Sequence, residues 1–142
     1  IVFGDWSSDV CSSDLKKKLP WPVRGTIYSQ FGRQVNQRYN TFTHNDGIDV
    51  LAKTFEPVIA VAQGTVVFAQ QLKYVNTVII DHGNSYFTIY ANLASIAVST
   101  GTAVTAGVKI GTVGTDVVTG LPILHFEIRK STEALSPVEW LQ

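Results

Sequence analysis

Short runs of apolar and β-branched residues, separated by turn residues, recur along the chain from Gly25 onward. Each run has the length of a strand, and almost none shows helical periodicity. Glycines punctuate the second half of the chain, as expected between strands. We therefore predict a mainly β fold, an antiparallel sheet or sandwich. The predicted strands include Val58–Val61, Thr65–Ala69, Thr77–Asp81, Tyr86–Tyr90, Val108–Ile110 and Ile123–Arg129.

The segment His82-Gly83-Asn84-Ser85 separates two of these runs and predicts a β-hairpin. A histidine in such a turn is expected to be solvated or locally bonded. Helical character is confined to the tail, Pro137–Leu141, which predicts a short turn with Ser136 as its cap and Pro137 at the first helical position.

The run Ile123–Arg129 alternates with a period of two, so its two sets of side chains face opposite ways. One set is wholly apolar and is expected to face the core. The other set carries His125, Glu127 and Arg129, and taken alone His125 could be a simple surface residue.

The first eighteen residues differ from the rest of the chain. Gly4–Leu15 reads GDWSSDVCSSDL, which resembles a translated sequencing adapter. We predict that residues 1–18 form a non-native or disordered leader, an artefact joined to a truncated linker, and that residues 19–142 form one domain. A natural polar linker is the alternative.

Composition narrows the class of protein. Hydrophobic residues make up 45% of the chain, which is enough for a core, and no apolar run approaches the ~20 residues that span a bilayer. The only cysteine, Cys11, lies in the leader, so the domain has no thiol chemistry. Without the three aspartates of residues 1–15, eight acidic residues remain against eleven basic ones in residues 16–142, and this +3 is too small to indicate nucleic-acid binding.

The segment Thr43–Val50 concentrates polar groups beside a glycine turn. A carboxylate from this loop and a histidine from a distant strand are suitable zinc ligands if the fold brings them together.

Segments along the whole domain resemble, in order and spacing, the M23 (LytM, lysostaphin-like) peptidase family. The start and end look most like its murein hydrolase activator branch (EnvC type). The matching segments are Leu19–Gly25, Gly47–Asp49, Pro57–Val66, Val78–Asn84, Tyr90–Leu93, Gly107–Gly111, Leu124–Ile128 and Ser136–Leu141.

The resemblance implies a zinc site that is only partly retained. Active members bind zinc through a His, an Asp and the second His of a His-x-His strand. The last two positions fall on Asp49 and His125. The first falls on Asn45, with His44 one residue away as a shifted third ligand, although a one-residue slip in extended chain reverses a side chain.

Two further family histidines assist catalysis, and this chain has Asn92 and Ile123 in their places. Asn92 cannot titrate and Ile123 cannot hydrogen-bond through its side chain, so neither can manage protons. Ile123 is apolar on a polar face. It either lies exposed in a cleft or is covered by a loop bearing Phe42 or Tyr39, and the sequence favours neither.

The resemblance thus implies a non-catalytic domain that binds and activates peptidoglycan amidases in cell-wall remodelling and division, without a cofactor. It also implies a periplasmic or envelope location near peptidoglycan, within a longer coiled-coil protein whose domain is monomeric. The binding groove would comprise Asn45, Asp49, Asn92, Ile123 and His125.

Two alternatives stay open. One is a zinc-dependent endopeptidase that cleaves peptidoglycan peptides with Asp49, His125 and a shifted His44. The other is a carbohydrate- or peptidoglycan-binding domain without a protein partner.

Overall fold

The computed structural model describes residues 18–36, 41–72 and 74–142, without the side chains of residues 34–36 and 41–43. These ranges form twelve strands and one short 3-10 turn, so the prediction of a mainly β fold is confirmed. Residues 1–17 of the predicted leader, 1–18, lie outside them, and its nature stays a prediction. The strands are β1 (Thr26–Ser29), β2 (Gly32–Asn36), β3 (Thr41–Asn45), β4 (Ile48–Leu51), β5 (Pro57–Ile59), β6 (Gly64–Leu72), β7 (Val75–Gly83), β8 (Tyr86–Ile96), β9 (Ala103–Val104), β10 (Lys109–Val113), β11 (Ile123–Lys130) and β12 (Glu133–Leu135).

Ten strands form one antiparallel sheet, and β2 and β3 form a separate two-stranded ribbon. The main path through the sheet runs β1-β4-β11-β8-β7-β6-β9, with β10 joining β8 to β5 and β12 lying beside β11. This order places β4 next to β11, although much of the chain separates them in sequence. Their pairing brings together the two parts of the predicted site.

The predicted hairpin is β7–β8, and its turn is tighter than expected. Only Asn84 and Ser85 lie between the strands, both with positive φ (53° and 67°). Two such residues give the backbone twist that suits a two-residue hairpin. His82 therefore belongs to β7 and is only 6% exposed. The expectation that His82 lies in the turn and is solvated is wrong, and the ring is instead hydrogen-bonded to Gln63 and Thr88.

The core lies on one face of the sheet. The apolar set of β11, Leu124, Phe126 and Ile128, is fully buried, whereas the opposite face of the same strand is only partly covered. The Phe126 and Tyr90 rings pack with their centroids 5.2 Å apart. The predicted alternation along this strand is confirmed.

The two ends of the domain meet. The backbone N–H of Leu19 donates to Trp140 (3.0 Å), and that of Gln142 donates to Leu19 (2.9 Å). The predicted C-terminal turn is a 3-10 turn at Pro137–Glu139. Ser136 occupies its N-cap position and Pro137 follows at the start of the turn, as predicted, but the Ser136 side chain makes no capping hydrogen bond. Within the described ranges, no helix has the length and apolarity to cross a membrane.

Candidate functional site

The centre of the candidate site is a contact between β4 and β11. The strand register sets Asp49 opposite His125, and the His125 Nδ1 lies 2.8 Å from the Asp49 Oδ1. Both side chains stand on the partly exposed face of the sheet, at about a quarter of full exposure. The fold thus brings the two retained family ligand positions into direct hydrogen-bond contact.

The other nitrogen of His125 is also occupied, because Nε2 lies 2.8 Å from the Glu127 Oε2. Burial alone would lower the pKa of His125. The hydrogen bonds to Asp49 and Glu127, together with their negative charges, outweigh it and raise this pKa to about 9. At neutral pH the ring is therefore an imidazolium that donates to a carboxylate on each side.

The polar chain continues past Glu127. Arg129 donates from Nε to the Glu127 Oε1 (2.7 Å) and from Nη2 to the Asp46 Oδ2 (3.3 Å). Burial would raise the pKa of Glu127, but the hydrogen bonds and charges of His125 and Arg129 hold it below its ordinary value. Sequence reasoning did not assign these three partners to the site. The shared face of β11 was a signal for Glu127 and Arg129, and the polar segment Thr43–Val50 contained Asp46 without singling it out.

Asn45, at the first ligand position, is held in a local turn. Its Nδ2 donates to the Asp49 Oδ2 and to the Ser29 Oγ (3.2 Å each), and its Oδ1 accepts from the Gly47 N–H (3.2 Å). The amide thus braces Asp49 by hydrogen bonding. A neutral amide is a poor zinc ligand compared with the imidazole that the family places here.

His44 turns towards a different carboxylate. Its Nε2 lies 3.1 Å from the Asp46 Oδ1, and its side chain is 60% exposed. Its ring also lies edge-on to Phe31 (6.2 Å between centroids). This contact with Asp46 offers no support for His44 as a shifted third ligand beside Asp49.

The donor set does not fit a catalytic zinc. Such an ion needs three protein ligands, and here one carboxylate faces one imidazole whose two nitrogens are both engaged. Across the described residues, no three or more His, Cys, Asp or Glu side chains are grouped so as to hold a metal ion.

Asn92 joins neighbouring segments of the chain by hydrogen bonds. It sits in β8 with φ +66°. Its Nδ2 donates to the backbone carbonyls of Ile123 (2.7 Å) and Gly114 (3.3 Å). The backbone carbonyl of Asn92 accepts from the Gly114 N–H (2.8 Å). The residue at the position that the resemblance assigns to a catalytic histidine therefore makes structural hydrogen bonds.

Ile123 is only 6% exposed, so the interpretation of an apolar groove floor at this residue is wrong, and the alternative of a covered side chain is correct. The side chains suggested as its cover, Phe42 and Tyr39, lie outside the described part of the structure. The five predicted groove residues thus fall into two groups. Asn45, Asp49 and His125 form one hydrogen-bonded cluster, and Asn92 is bonded to Ile123.

Beside Asn92 lies a feature that sequence reasoning missed, an exposed apolar rim formed by Phe55, Tyr74 and Val117. These side chains are 66%, 94% and 91% exposed, and they border a cavity of about 280 Å³ that Asn92 also lines. Phe55 and Tyr74 both have positive φ (60° and 71°), which is uncommon for aromatic residues. Single exposed apolar residues are ordinary, but three around one cavity are typical of a recognition surface.

Fold and site together define an antiparallel β-domain with Asp49 and His125 paired across two neighbouring strands on its partly exposed face. The family model for peptidase family M23 matches residues 43–137. This chain belongs to peptidase family M23.

Two relatives and one solved structure illustrate the similarity. The cell division protein DipM of Caulobacter vibrioides is 36% identical over 80% of this chain and 18% of its own length. The murein hydrolase activator EnvC of Escherichia coli is 34% identical over 85% of this chain and 28% of its own length. A zinc-containing peptidase from Vibrio cholerae superposes with a TM-score of 0.76, at 26% identity, over 87% of this chain and 40% of that one. The chain thus spans less than a third of the two relatives.

Proposed function

We propose that this chain is a non-catalytic M23 domain that binds a peptidoglycan amidase and activates it during cell-wall remodelling and division. The observation that carries the proposal is the first ligand position, where Asn45 offers a neutral amide that donates to the Asp49 Oδ2 and the Ser29 Oγ (3.2 Å each). Similarity to EnvC, a murein hydrolase activator, supports the role in activation. A periplasmic or envelope location, and membership of a longer protein, belong to the same proposal.

Peptide hydrolysis requires groups that move protons and stabilise the charge that develops on the tetrahedral intermediate. The two family positions for such groups hold Asn92 and Ile123. The Asn92 amide is already engaged with two carbonyls, and the Ile123 side chain is buried and apolar. The site therefore lacks catalytic groups as well as a third metal ligand.

The partner surface that we propose is the groove around Asn45, Asp49 and His125 together with the exposed rim of Phe55, Tyr74 and Val117. The rim offers exposed apolar area whose desolvation favours binding. The polar cluster offers hydrogen-bonding groups that orient the partner. Interfaces commonly combine an apolar centre with polar surroundings.

An amidase-stimulation assay tests this surface. Tyr74→Asn removes the exposed ring and introduces a residue that tolerates positive φ. We expect stimulation of the amidase to fall about tenfold, as for the loss of an interface anchor. Val67→Thr changes a 43% exposed side chain of β6 and serves as the matched control. Equal stimulation by wild type and Tyr74→Asn would exclude the rim. Substitution of Ile123 is avoided because, at 6% exposure, it would report on folding.

The alternative is a zinc-dependent M23 endopeptidase, and one observation favours it, namely the retained and adjacent pair Asp49 and His125. A zinc titration of the purified chain, followed by an assay of peptidoglycan peptide cleavage, separates the two functions. One tightly bound equivalent together with cleavage would establish the enzyme and overturn our proposal.

A further inference from the structure

The connection between β10 and β11, residues 115–122, projects two adjacent apolar side chains into solvent, and we call it the valine loop. Val117 and Val118 are 91% and 88% exposed. Single exposed apolar residues are common, but two neighbouring valines at the tip of one loop leave a contiguous apolar surface in water. Because these side chains make little contact with the rest of the domain, the stability of the fold does not account for them.

Hydrogen bonds fix the base of the valine loop. Asn92 donates from Nδ2 to the carbonyls of Gly114 (3.3 Å) and Ile123 (2.7 Å), which flank the loop on its two sides. The Ile123 N–H donates to the Gly114 carbonyl (3.2 Å), and Thr115 and Pro122 form a β-bridge. Asn92 thus holds the two ends of the loop together.

The tip of the valine loop is fixed as well. The Asp116 Oδ2 accepts hydrogen bonds from the N–H and the hydroxyl of Thr119 (2.9 Å each). The Asp116 N–H donates to the Leu121 carbonyl, and the Asp116 carbonyl accepts from the Gly120 N–H (2.8 Å each). Since valine has few rotamers, a tip held in this way loses little conformational entropy when it binds. The two valines therefore form a preformed anchor.

The shape and charge of the valine loop indicate which surface receives it. A projecting apolar tip fits a concave apolar site. Residues 114–123 contain neither lysine nor arginine, whereas segments that insert into anionic membranes are typically rich in them. The acidic residue of this segment, Asp116, uses its Oδ2 within the loop. A pocket on a protein therefore suits the valine loop better than a lipid surface.

We propose that the valine loop is the specificity anchor of the amidase interface, and that Val117 and Val118 enter an uncharged apolar pocket on the amidase. Val117 also lines the cavity bordered by Tyr74, so the loop continues the partner surface proposed above. This inference rests on the proposed function and adds to it the complementary pocket of the partner.

Calorimetric titration of the whole chain with a purified amidase of the same organism tests the anchor. Val117→Thr/Val118→Thr keeps the branched shape and replaces one methyl group of each valine with a hydroxyl, so we expect the affinity to fall about tenfold or more. The ratio of this affinity to that of wild type should not change with salt, because the pocket is uncharged. Val67→Thr/Val108→Thr, at two exposed valines outside the loop (43% and 38%), is the matched control and should change the affinity by less than about twofold.

A second pair of variants tests whether the loop is preformed. Asp116→Ala removes the acceptor of both Thr119 hydrogen bonds and keeps the valines, so the affinity should fall about threefold to tenfold, since the loop must then be ordered on binding. Asp116→Asn keeps a side-chain oxygen acceptor without the charge and should bind nearly as tightly as wild type. Equal losses in the two variants would show that the charge matters, and would overturn the preformed apolar anchor.

The proposal is also overturned if folded Val117→Thr/Val118→Thr binds the amidase as tightly as wild type. Binding of the valines to vesicles of phosphatidylethanolamine and phosphatidylglycerol, without binding to the amidase, would assign the loop to a membrane instead. Amidase stimulation is measured separately. Valine-dependent binding without stimulation would contradict the proposed activation alone, and stimulation that the double variant retains in full would contradict the anchor alone. If wild type does not bind the amidase, both proposals fail.

Discussion

His125 and His82 each have both ring nitrogens in hydrogen-bond contact, yet the two rings carry different charges. His125 lies between two carboxylates on the partly exposed face. His82 is buried, with Nδ1 2.7 Å from the Gln63 carbonyl and Nε2 2.7 Å from the Thr88 hydroxyl. Burial lowers the pKa of His82 to about 4, although the bond to Gln63 and the charge of Asp81 oppose it. One ring is a cation at neutral pH and the other is neutral.

The difference shows how the partners of a histidine decide its role. A carbonyl can only accept, so the neutral His82 ring donates from Nδ1 and accepts at Nε2. The Thr88 hydroxyl lies 3.0 Å from the Tyr90 hydroxyl, which accepts from the Val61 N–H. This buried network joins β7, β8 and the segment before β6, and it serves the fold. The cluster around His125 stands at the surface, where a partner can reach it.

The largest expected effect comes from His82→Ala. The substitution leaves a cavity and strips the Gln63 carbonyl and the Thr88 hydroxyl of a buried partner, so we expect the free energy of unfolding to fall by about 2–5 kcal/mol. Chemical denaturation measures it. His82→Gln retains a donor and an acceptor and should cost less. If the two variants lose the same stability, the hydrogen bonds are not what the position requires.

The pH dependence of stability should separate the two histidines. The folded pKa of His82 is about 4, below the 6.5 of the unfolded chain. Its contribution is therefore fully present above pH 6.5 and is lost as the pH falls towards 4, by about 3 kcal/mol. His125, with a folded pKa of about 9, has the opposite sign and loses its contribution as the pH rises through 9.

Nuclear magnetic resonance of the two imidazoles measures both titrations directly. The free energy of unfolding is measured against pH for wild type and for His82→Gln. The difference between the two curves isolates the loss of stability that His82 causes at acid pH, because the other titrating groups contribute equally to both proteins. A measured pKa of His82 near 6.5 would contradict the proposed difference between the buried network of His82 and the surface cluster of His125.

An engineered gain of zinc binding tests whether Asn45 occupies the first ligand position. Asn45→His places an imidazole at the first ligand position, beside Asp49 and His125, and we expect zinc affinity to rise about 100-fold over wild type. Asn45→Gln, which keeps an amide, is the control. Peptidoglycan cleavage should stay absent in Asn45→His, because Asn92 and Ile123 are unchanged. Isothermal titration with zinc alone measures the affinity, and equal affinity in all three proteins would contradict the assignment of Asn45.

The smallest expected effect is that of His44→Ala. The His44–Asp46 contact is exposed on both sides (60% and 48%), so its loss should change stability by about 0–0.5 kcal/mol. Residual zinc binding should not change either. A marked fall in zinc affinity would show that His44 reaches the Asp49–His125 pair after all.

The sequence predicted those features that depend on local pattern. The strand runs, the hairpin and the two faces of β11 followed from periodicity and turn residues, and they are confirmed. The positions of Asp49 and His125 followed from the family resemblance, and the register between β4 and β11 places them in contact.

Other features depend on packing between distant segments and had no local signal. His82 was assigned to a turn because Gly83 and Asn84 follow it, but the hairpin turns one residue later and the ring points inward. Ile123 occupies the polar face by alternation, yet neighbouring segments bury it. The cavity lined by Trp21, Arg24 and Glu56 forms only where the segment before β1 meets the segment after β4.

The most direct test of the central claim is a single peptidoglycan-release assay with the purified chain, with an amidase of the same organism, and with both together. We expect no release by the chain alone, even with added zinc, and release by the amidase that increases when the chain is present. Release by the chain alone in the presence of zinc, with no stimulation of the amidase, would contradict the account and identify the domain as a peptidase.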